Sequence, residues 1–277
     1  MAAGDTQVTE PLPDGMVPAT PRRSRRVWPW VVAFAIVAVL AVAAWFAAEA
    51  IARQIVTGIV QDQVRTQLSL PADQQIDVGI EGAVLPQLIA GTLTELTISS
   101  YDVTIGGQGS DAQVTGDVSV VAHGVSVRDG AIANADATVV LDEQQLRALM
   151  SNVDGFPVDS LGLAAPNVTM EVDLTLFGAT VPVGAALTPS ADQGDLVLTP
   201  ASLQLGGAEV SAAQVQKTFG RLADGVVRDW DVCVAQYLPA GVTLTSVEVT
   251  GDVLVADFDV DGAIATDPAL QENGTCA

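Results

Sequence analysis

The run VTLTSVEVTGDVLVADFDV, residues 242 to 260, holds two stretches of alternating apolar and polar residues, Val242 to Val249 and Val253 to Val260, with a turn signal at Gly251-Asp252 between them. Successive side chains of a strand point to opposite faces, so Phe258 and Val260 turn to a core while Asp257, Asp259 and Asp261 turn to water. An antiparallel hairpin with one wet face is the reading. The string from Asp257 to Gly262 also copies the first six positions of an EF-hand calcium loop, but the bidentate Glu required at position twelve falls on Pro268. Strand alternation accounts for these aspartates without a metal.

The same alternation runs upstream. Ile76, Val78 and Ile80, then Leu93, Leu96 and Ile98 with a slip in phase, then Val103 and Ile105, mark half-buried strands. Val114, Val118, Val120, Val125 and Val127 continue the pattern, with Gly116 and Gly124 expected as bulge or bend sites. Arg128-Asp129-Gly130 signals a hairpin before a strand through Val140. Further strands cover 167 to 177, 180 to 187 and 196 to 205. Ile51, Ile55 and Ile59, beside Val56, Val60, Val64 and Leu68, form an amphipathic helix ending before Pro71. Asp142 with Gln145, and Ser211 with Gln214, open two short helices as capping boxes, the second carrying Val215, Phe219 and Leu222 on one face. About ten strands and three helices joined by hairpin-like connections make an α+β domain built on antiparallel sheet.

A charge-free run from Val27 to Ala48 precedes this domain, entered through Arg22, Arg23, Arg25 and Arg26. At about 1.5 Å per residue it covers roughly 33 Å, enough to cross a hydrocarbon core of about 30 Å. Trp28, Trp30 and Trp45 lie near its two ends, where amphipathic rings favour the interface, and the arginines hold the N-terminus in the cytosol. Ala48-Glu49-Ala50 also has the small-x-small form of a signal-peptide cleavage site, but the run exceeds the usual ~7–15 residues of such a segment. The expected organisation is a disordered, proline-rich cytoplasmic tail over 1–26, a single membrane span over 27–48, and an extracytoplasmic domain over 49–277.

That domain carries seven cations against thirty acids, a net charge of −23. Such a surface excludes nucleic acid as a partner and disfavours adsorption to an anionic bilayer, so lipid contact has to come from apolar surface or a local positive spot. Seven of the twelve aromatic residues fall outside the span. A core of Val, Leu, Ile and Ala leaves room for a gap between sheet and helices. Cys233 and Cys276, both in the exported part, are expected to pair, the alternative being two independent buried thiols. His123 reads as an ordinary strand residue: no Gly-x-Ser-x-Gly elbow accompanies it, and no carboxylate pair stands out by spacing. Neither a catalytic site nor a cofactor is indicated.

Two features point to a ligand. The segment from Gly82 to Gly91 (GAVLPQLIAG) neither alternates nor reaches helix length, and is either a buried connection or the lip of an apolar pocket. Lys217, Arg221 and Arg228 put three of the seven cations within twelve residues. Lys217 and Arg221 share a helix face, where a phosphate between them would relieve their repulsion; the alternative is that Arg221 complements the helix C-terminus.

The amphipathic helix, the strand Val78-Gly79-Ile80-Glu81-Gly82, the apolar segment, then Gly91-Thr92-Leu93-Thr94-Glu95-Leu96-Thr97-Ile98 and Asp102-Val103-Thr104-Ile105-Gly106-Gly107 resemble the start of the LmeA-type phospholipid-binding proteins. Tyr237-Leu238-Pro239-Ala240-Gly241-Val242-Thr243-Leu244, followed by Ser246-Val247-Glu248-Val249, is similar to that family's C-terminal signature. The resemblance covers roughly residues 50 to 265. Where many members carry aromatic bulk after the first glycine, this chain has Ala83 and Val84. The resemblance implies an elongated, twisted antiparallel sheet packed with a few amphipathic helices, like tubular lipid-binding proteins, after one transmembrane helix. It also implies an actinobacterial envelope protein that binds phospholipid, phosphatidylinositol included, without catalysis and in connection with lipoglycan biosynthesis. The expected acyl groove is Val84, Leu85, Pro86, Leu88, Ile89 and Phe219, with Lys217, Arg221 and Arg228 at the headgroup. The rival reading is a non-enzymatic envelope scaffold that recruits a protein partner. Several hundred Å³ of continuous apolar space would favour the first and a filled interior the second.

Overall fold

Alternation in the final hairpin is realised as two strands that pair with each other, and one of them pairs with a strand more than a hundred residues upstream. The computed structural model describes residues 28–67, 70, 74–105, 114–151, 156–176, 179–205, 208–219 and 227–276; the expected tail over 1–26 and Arg221 lie outside them. The chain divides into two compact units that part between Ala47 and Ala48. Helix α1 (Trp28–Gln67) is one continuous helix where the sequence suggested two. Helix α2 is Val84–Ala90, α3 Glu143–Met150, α4 Ala212–Phe219 and α5 Pro268–Gln271.

Twelve strands are formed among the described residues: β1 (Ile76–Ile80), β2 (Thr92–Ile105), β3 (Val114–Ser126), β4 (Asn134–Asp142), β5 (Gly162–Ala164), β6 (Asn167–Leu176), β7 (Ala179–Asp192), β8 (Asp195–Leu205), β9 (Ala208–Ser211), β10 (Trp230–Val232), β11 (Val242–Thr250) and β12 (Val253–Asp261). The α+β expectation holds, but with two sheets in place of one. The first has the order β1-β2-β3-β4-β12-β11; the second has β10-β8-β7-β6-β5, with β9 alongside β8, and every pairing is antiparallel.

The register makes one face of the first sheet apolar across its width. Ile80, Leu96, Ala122, Ala135, Val260 and Val242 form one row, and Val78, Ile98, Val120, Ala137, Phe258 and Leu244 the next. Ser100, Val118, Val139, Ala256 and Val247 form a third. The opposite face is wet and acidic, with Asp77, Asp136, Asp257 and Asp259 among its residues. A bulge between Leu244 and Ser246 keeps both Leu244 and Val247 on the inner face despite their odd spacing. Gly116 borders a bulge, the register between β2 and β3 shifting between Ser100 and Val103, with Val103 paired to Gly116. A Cβ there would stand 2.7 Å from a methyl of Leu141 and 3.2 Å from the Val140 carbonyl.

Two bodies cover the inner face. At the β1 edge sits the part of α1 beyond Ala48, whose Ala52, Val56 and Val60 pack with Ile80, Val84, Leu93 and Leu96. Over β4, β12 and β11 lies the second sheet, contributing Val168, Met170, Val183, Leu187, Leu196, Leu198 and Leu203 to the main core with Leu146 and Met150 of α3. Helix α3 begins as the sequence indicates, the Asp142 carboxylate accepting from the Gln145 N–H and the Gln145 side chain accepting from the Asp142 N–H.

Candidate functional site

Between the two covers the inner face is incompletely filled. Ile98, Val118, Val120, Ala137 and Val139 are half-buried, although alternation aims them inward. This floor continues into a cavity of about 90 Å³ between the sheets. Its lining is Val139 and Leu141 of β4, Leu244 and Val247 of β11, Leu254, Ala256 and Phe258 of β12, Leu149 of α3, Leu196 of β8, and Val234, Tyr237 and Leu238 of the segment before β11. Tyr237 supplies the one polar side chain of that lining. Alternating strands from both sheets aim branched aliphatic side chains at a common space, and few aromatic rings are there to fill it. The gap thus lies between two sheets and not, as expected, between sheet and helices.

The wall formed by Val234, Tyr237 and Leu238 is strapped to the C-terminal segment. Cys233 and Cys276 form a disulfide with an S–S distance of 2.02 Å. The Gly274 N–H donates to the Leu238 carbonyl at 2.9 Å, the Ala240 N–H to the Glu272 carbonyl at 2.8 Å, and the Asn273 side-chain amide to the Gln236 carbonyl at 3.0 Å.

The segment around Leu85 stands elsewhere. It is a two-turn helix after all, and no local signal announces it because its N-terminal acceptor comes from far away in sequence. The Glu49 carboxylate accepts from the Val84 N–H and, at 2.9 Å, from the Leu85 N–H, while Ala83 offers no side-chain cap. Arg53 stands 3.6 Å from Glu49 and donates to the carbonyls of Ile80 at 2.7 Å and Gly82 at 2.6 Å. The N–H groups of Leu85 and Val84, with the Arg53 guanidinium, hold the Glu49 carboxyl below its ordinary value of 4.5. Gly91, at φ +84°, ends the helix in the left-handed region. Val84 is fully buried beneath α1 and Leu88 packs on the same cluster, whereas Leu85 is half-buried, Pro86 is exposed and Ile89 is 81% exposed. None of these five lines the inter-sheet cavity. Phe219 ends α4, and its side chain lies outside the described residues.

Of the expected headgroup cations, Lys217 is exposed on α4. Arg228 lies over the Trp230 ring at 3.9 Å from its centroid, and that ring meets Phe156 edge-on at 5.3 Å. The aspartates of the final hairpin have structural employment: Asp257 accepts from the hydroxyls of Thr138 and Ser246, and Asp261 caps the turn at Ala263. His123 sits on the wet face between Glu95 at 3.8 Å and Asp136 at 3.6 Å. The cavity residues that sequence reasoning missed carried a signal in the inward positions of the last hairpin: Leu244, Val247, Leu254, Ala256 and Phe258.

A family model described as LmeA-like phospholipid-binding matches residues 47–258. The chain belongs to this family. Searches among curated proteins and among solved structures return no match. Membership in the LmeA-like family makes this a member of a lipid-binding group, and α1 carries a run long and apolar enough to cross a bilayer.

Proposed function

We propose that the protein is a membrane-anchored, extracytoplasmic phospholipid carrier that holds an acyl chain along the inner face of its first sheet. The observation that carries this reading is the unbroken apolar floor from Ile98 through Val120 and Ala137 to the inter-sheet cavity, in a chain of the LmeA-like family. The cavity alone, at about 90 Å³, falls short of the ~300–1,000 Å³ of a ligand pocket, so it serves as the closed end of a longer track. Energetics favour exchange over storage. Hiding ~14 methylenes gains about 11 kcal/mol relative to water, but taking them from a bilayer forfeits a similar amount. Lys217, Arg221 and Arg228 are the headgroup candidates, phosphatidylinositol is one candidate ligand, and the role is support of envelope lipid or lipoglycan assembly. The arginines before Val27 support a cytosolic N-terminus and an exported domain.

Native mass spectrometry of the purified full chain tests the carrier reading. A bound phospholipid is expected, and Val120→Asp should remove it through the cost of placing a charge on the floor while circular dichroism stays unchanged. The small size of the resting cavity favours a second reading, a scaffold that recruits a protein partner; a wild-type chain free of lipid would establish that alternative. Topology has its own check, since external protease on intact cells should remove the domain beyond Ala48.

A further inference from the structure

Strand β10 stands at one end of the second sheet and β11 at one end of the first, so the segment that joins them, 233 to 241, closes the space between the sheets along that edge. Val234, Tyr237 and Leu238 of this segment face the inter-sheet cavity. The closure is held on both sides of Tyr237. Its neighbours Gln236 and Leu238 give their carbonyls to the Asn273 side chain and the Gly274 N–H, and its own N–H donates to the Val234 carbonyl at 2.9 Å. The disulfide from Cys233 to Cys276 pins the start of the segment. A Cβ on Gly274 would stand 2.9 Å from the Ala235 carbonyl oxygen, so the C-terminal segment already lies in close contact with this wall.

From this wall the apolar row Leu244, Phe258, Ala137, Val120 and Ile98 crosses β11, β12, β4, β3 and β2 in turn. Four steps between neighbouring strands, at about 4.8 Å each, make a path of about 19 Å. A hydrocarbon core of about 30 Å is two leaflets deep, so one acyl chain of an ordinary membrane phospholipid reaches about 15 Å. The path therefore takes one such chain with about one strand to spare. Its two ends differ. At Leu244 and Phe258 the enclosed space of about 90 Å³ has room for about three carbon groups of about 30 Å³ each, and with Tyr237 as its one polar side chain it would leave an ester or a phosphate without partners. At Ile98 and Val120 the floor is half-buried, and a polar group there meets water.

We infer that the wall at Tyr237 is a length stop. A single acyl chain lies across the strands of the first sheet with its methyl end against Tyr237, and the distance from that wall to the open floor sets the chain length the protein prefers. A stop selects only if it does not yield, and the hold of the C-terminal segment on Gln236 and Leu238 supplies that stiffness. The cavity admits the tip of one chain, so a second acyl chain of the same lipid stays outside it. The inference rests on the phospholipid-carrier reading and adds to it which chains are held.

In the test, the full chain in detergent is offered an equimolar series of lysophosphatidylcholines rising by two carbons from lauroyl to arachidoyl, and native mass spectrometry reads which are retained. Wild type is compared with Tyr237→Ala, which removes the ring from the stop, and with Val183→Ala, a buried core position that does not line the cavity. Tyr237→Leu keeps the wall apolar and takes the place of Tyr237→Ala where circular dichroism finds the latter unfolded. Comparison between variants cancels the partition of each lysolipid into micelles. The Tyr237 variant should move the most-retained chain at least one member toward arachidoyl, and Val183→Ala should leave it where it is in wild type. An unmoved distribution in the folded Tyr237 variant, or an equal move in Val183→Ala, would overturn the length stop and leave the carrier reading standing. A wild-type chain that retains no member of the series would overturn the carrier reading and the stop with it.

Discussion

Filling the inter-sheet cavity should stabilise the fold and impair the carrier at the same time. Ala256 lies in the middle of β12, is 7% exposed, pairs with Val139 on one side and Val247 on the other, and lines the cavity. Ala256→Ile adds three carbons on a strand position that suits β-branched residues. The free space is about 90 Å³, close to three groups of about 30 Å³ each. Removing it at about 24 cal/mol per Å³ is worth up to about 2 kcal/mol. For a unit of this length that raises the midpoint of thermal unfolding by about 4 to 8 °C. Thermal unfolding followed by circular dichroism measures the first effect, and phosphate analysis of extracted lipid per mole of protein measures the second. The carrier reading requires stability to rise and bound phospholipid to fall. Stability raised with undiminished lipid would show that the acyl chain does not use this space. Destabilisation by the 1–3 kcal/mol typical of overpacking would show that the space is not free.

Two further outcomes are expected. Replacing Cys233 and Cys276 with Ala together opens a loop whose ends are 43 residues apart, worth up to about 4 kcal/mol in a chain-entropy treatment; urea unfolding should show the loss, and a difference below about 1 kcal/mol would assign the tail to its backbone hydrogen bonds. Because the Glu49 carboxyl is held below 4.5 in the fold, its contribution to seating α2 is complete above that pH and is lost as pH falls through the depressed value. The protection of the Val84 and Leu85 amides, taken relative to their intrinsic exchange rate at each pH, should therefore fall on acidification in the wild type and be low already at neutral pH in Glu49→Ala; full protection of both amides in that variant would remove Glu49 as the acceptor.

What the sequence disclosed was everything encoded within one turn or one strand. The capping box at Asp142 and Gln145, the turns at Gly130 and Gly251, and the inward Phe258 and Val260 were readable because each depends on neighbours a few residues away. Helix α2 was not, since the group that satisfies its first N–H groups lies 35 and 36 residues upstream. The division into two sheets was hidden for the same reason: alternation tells which side of a strand is wet, never which strand lies beside it. A continuous apolar run such as Val84 to Ile89 marks burial without saying what buries it. Val84 and Leu88 seat α2 under α1, and the cavity is assembled from positions scattered over three strands of one sheet, one of the other, α3 and the segment near Tyr237.

The pairing of β4 with β12 also sets an order of assembly. All of β5 to β9 lies between these two partners, so that block of the second sheet can form from contacts near in sequence, as can β1 to β4, while completion of the first sheet must wait for a bond such as that from Thr138 to Asp257, across 119 residues. Closing so long a loop is slow relative to zipping hairpins. Five of the cavity's lining residues belong to β4 and β12, so the space arises only when that closure happens. Until β12 arrives, the β4 side of the apolar floor made by β2 and β3 stays uncovered, so the interval before closure is when that floor is open to any other apolar surface.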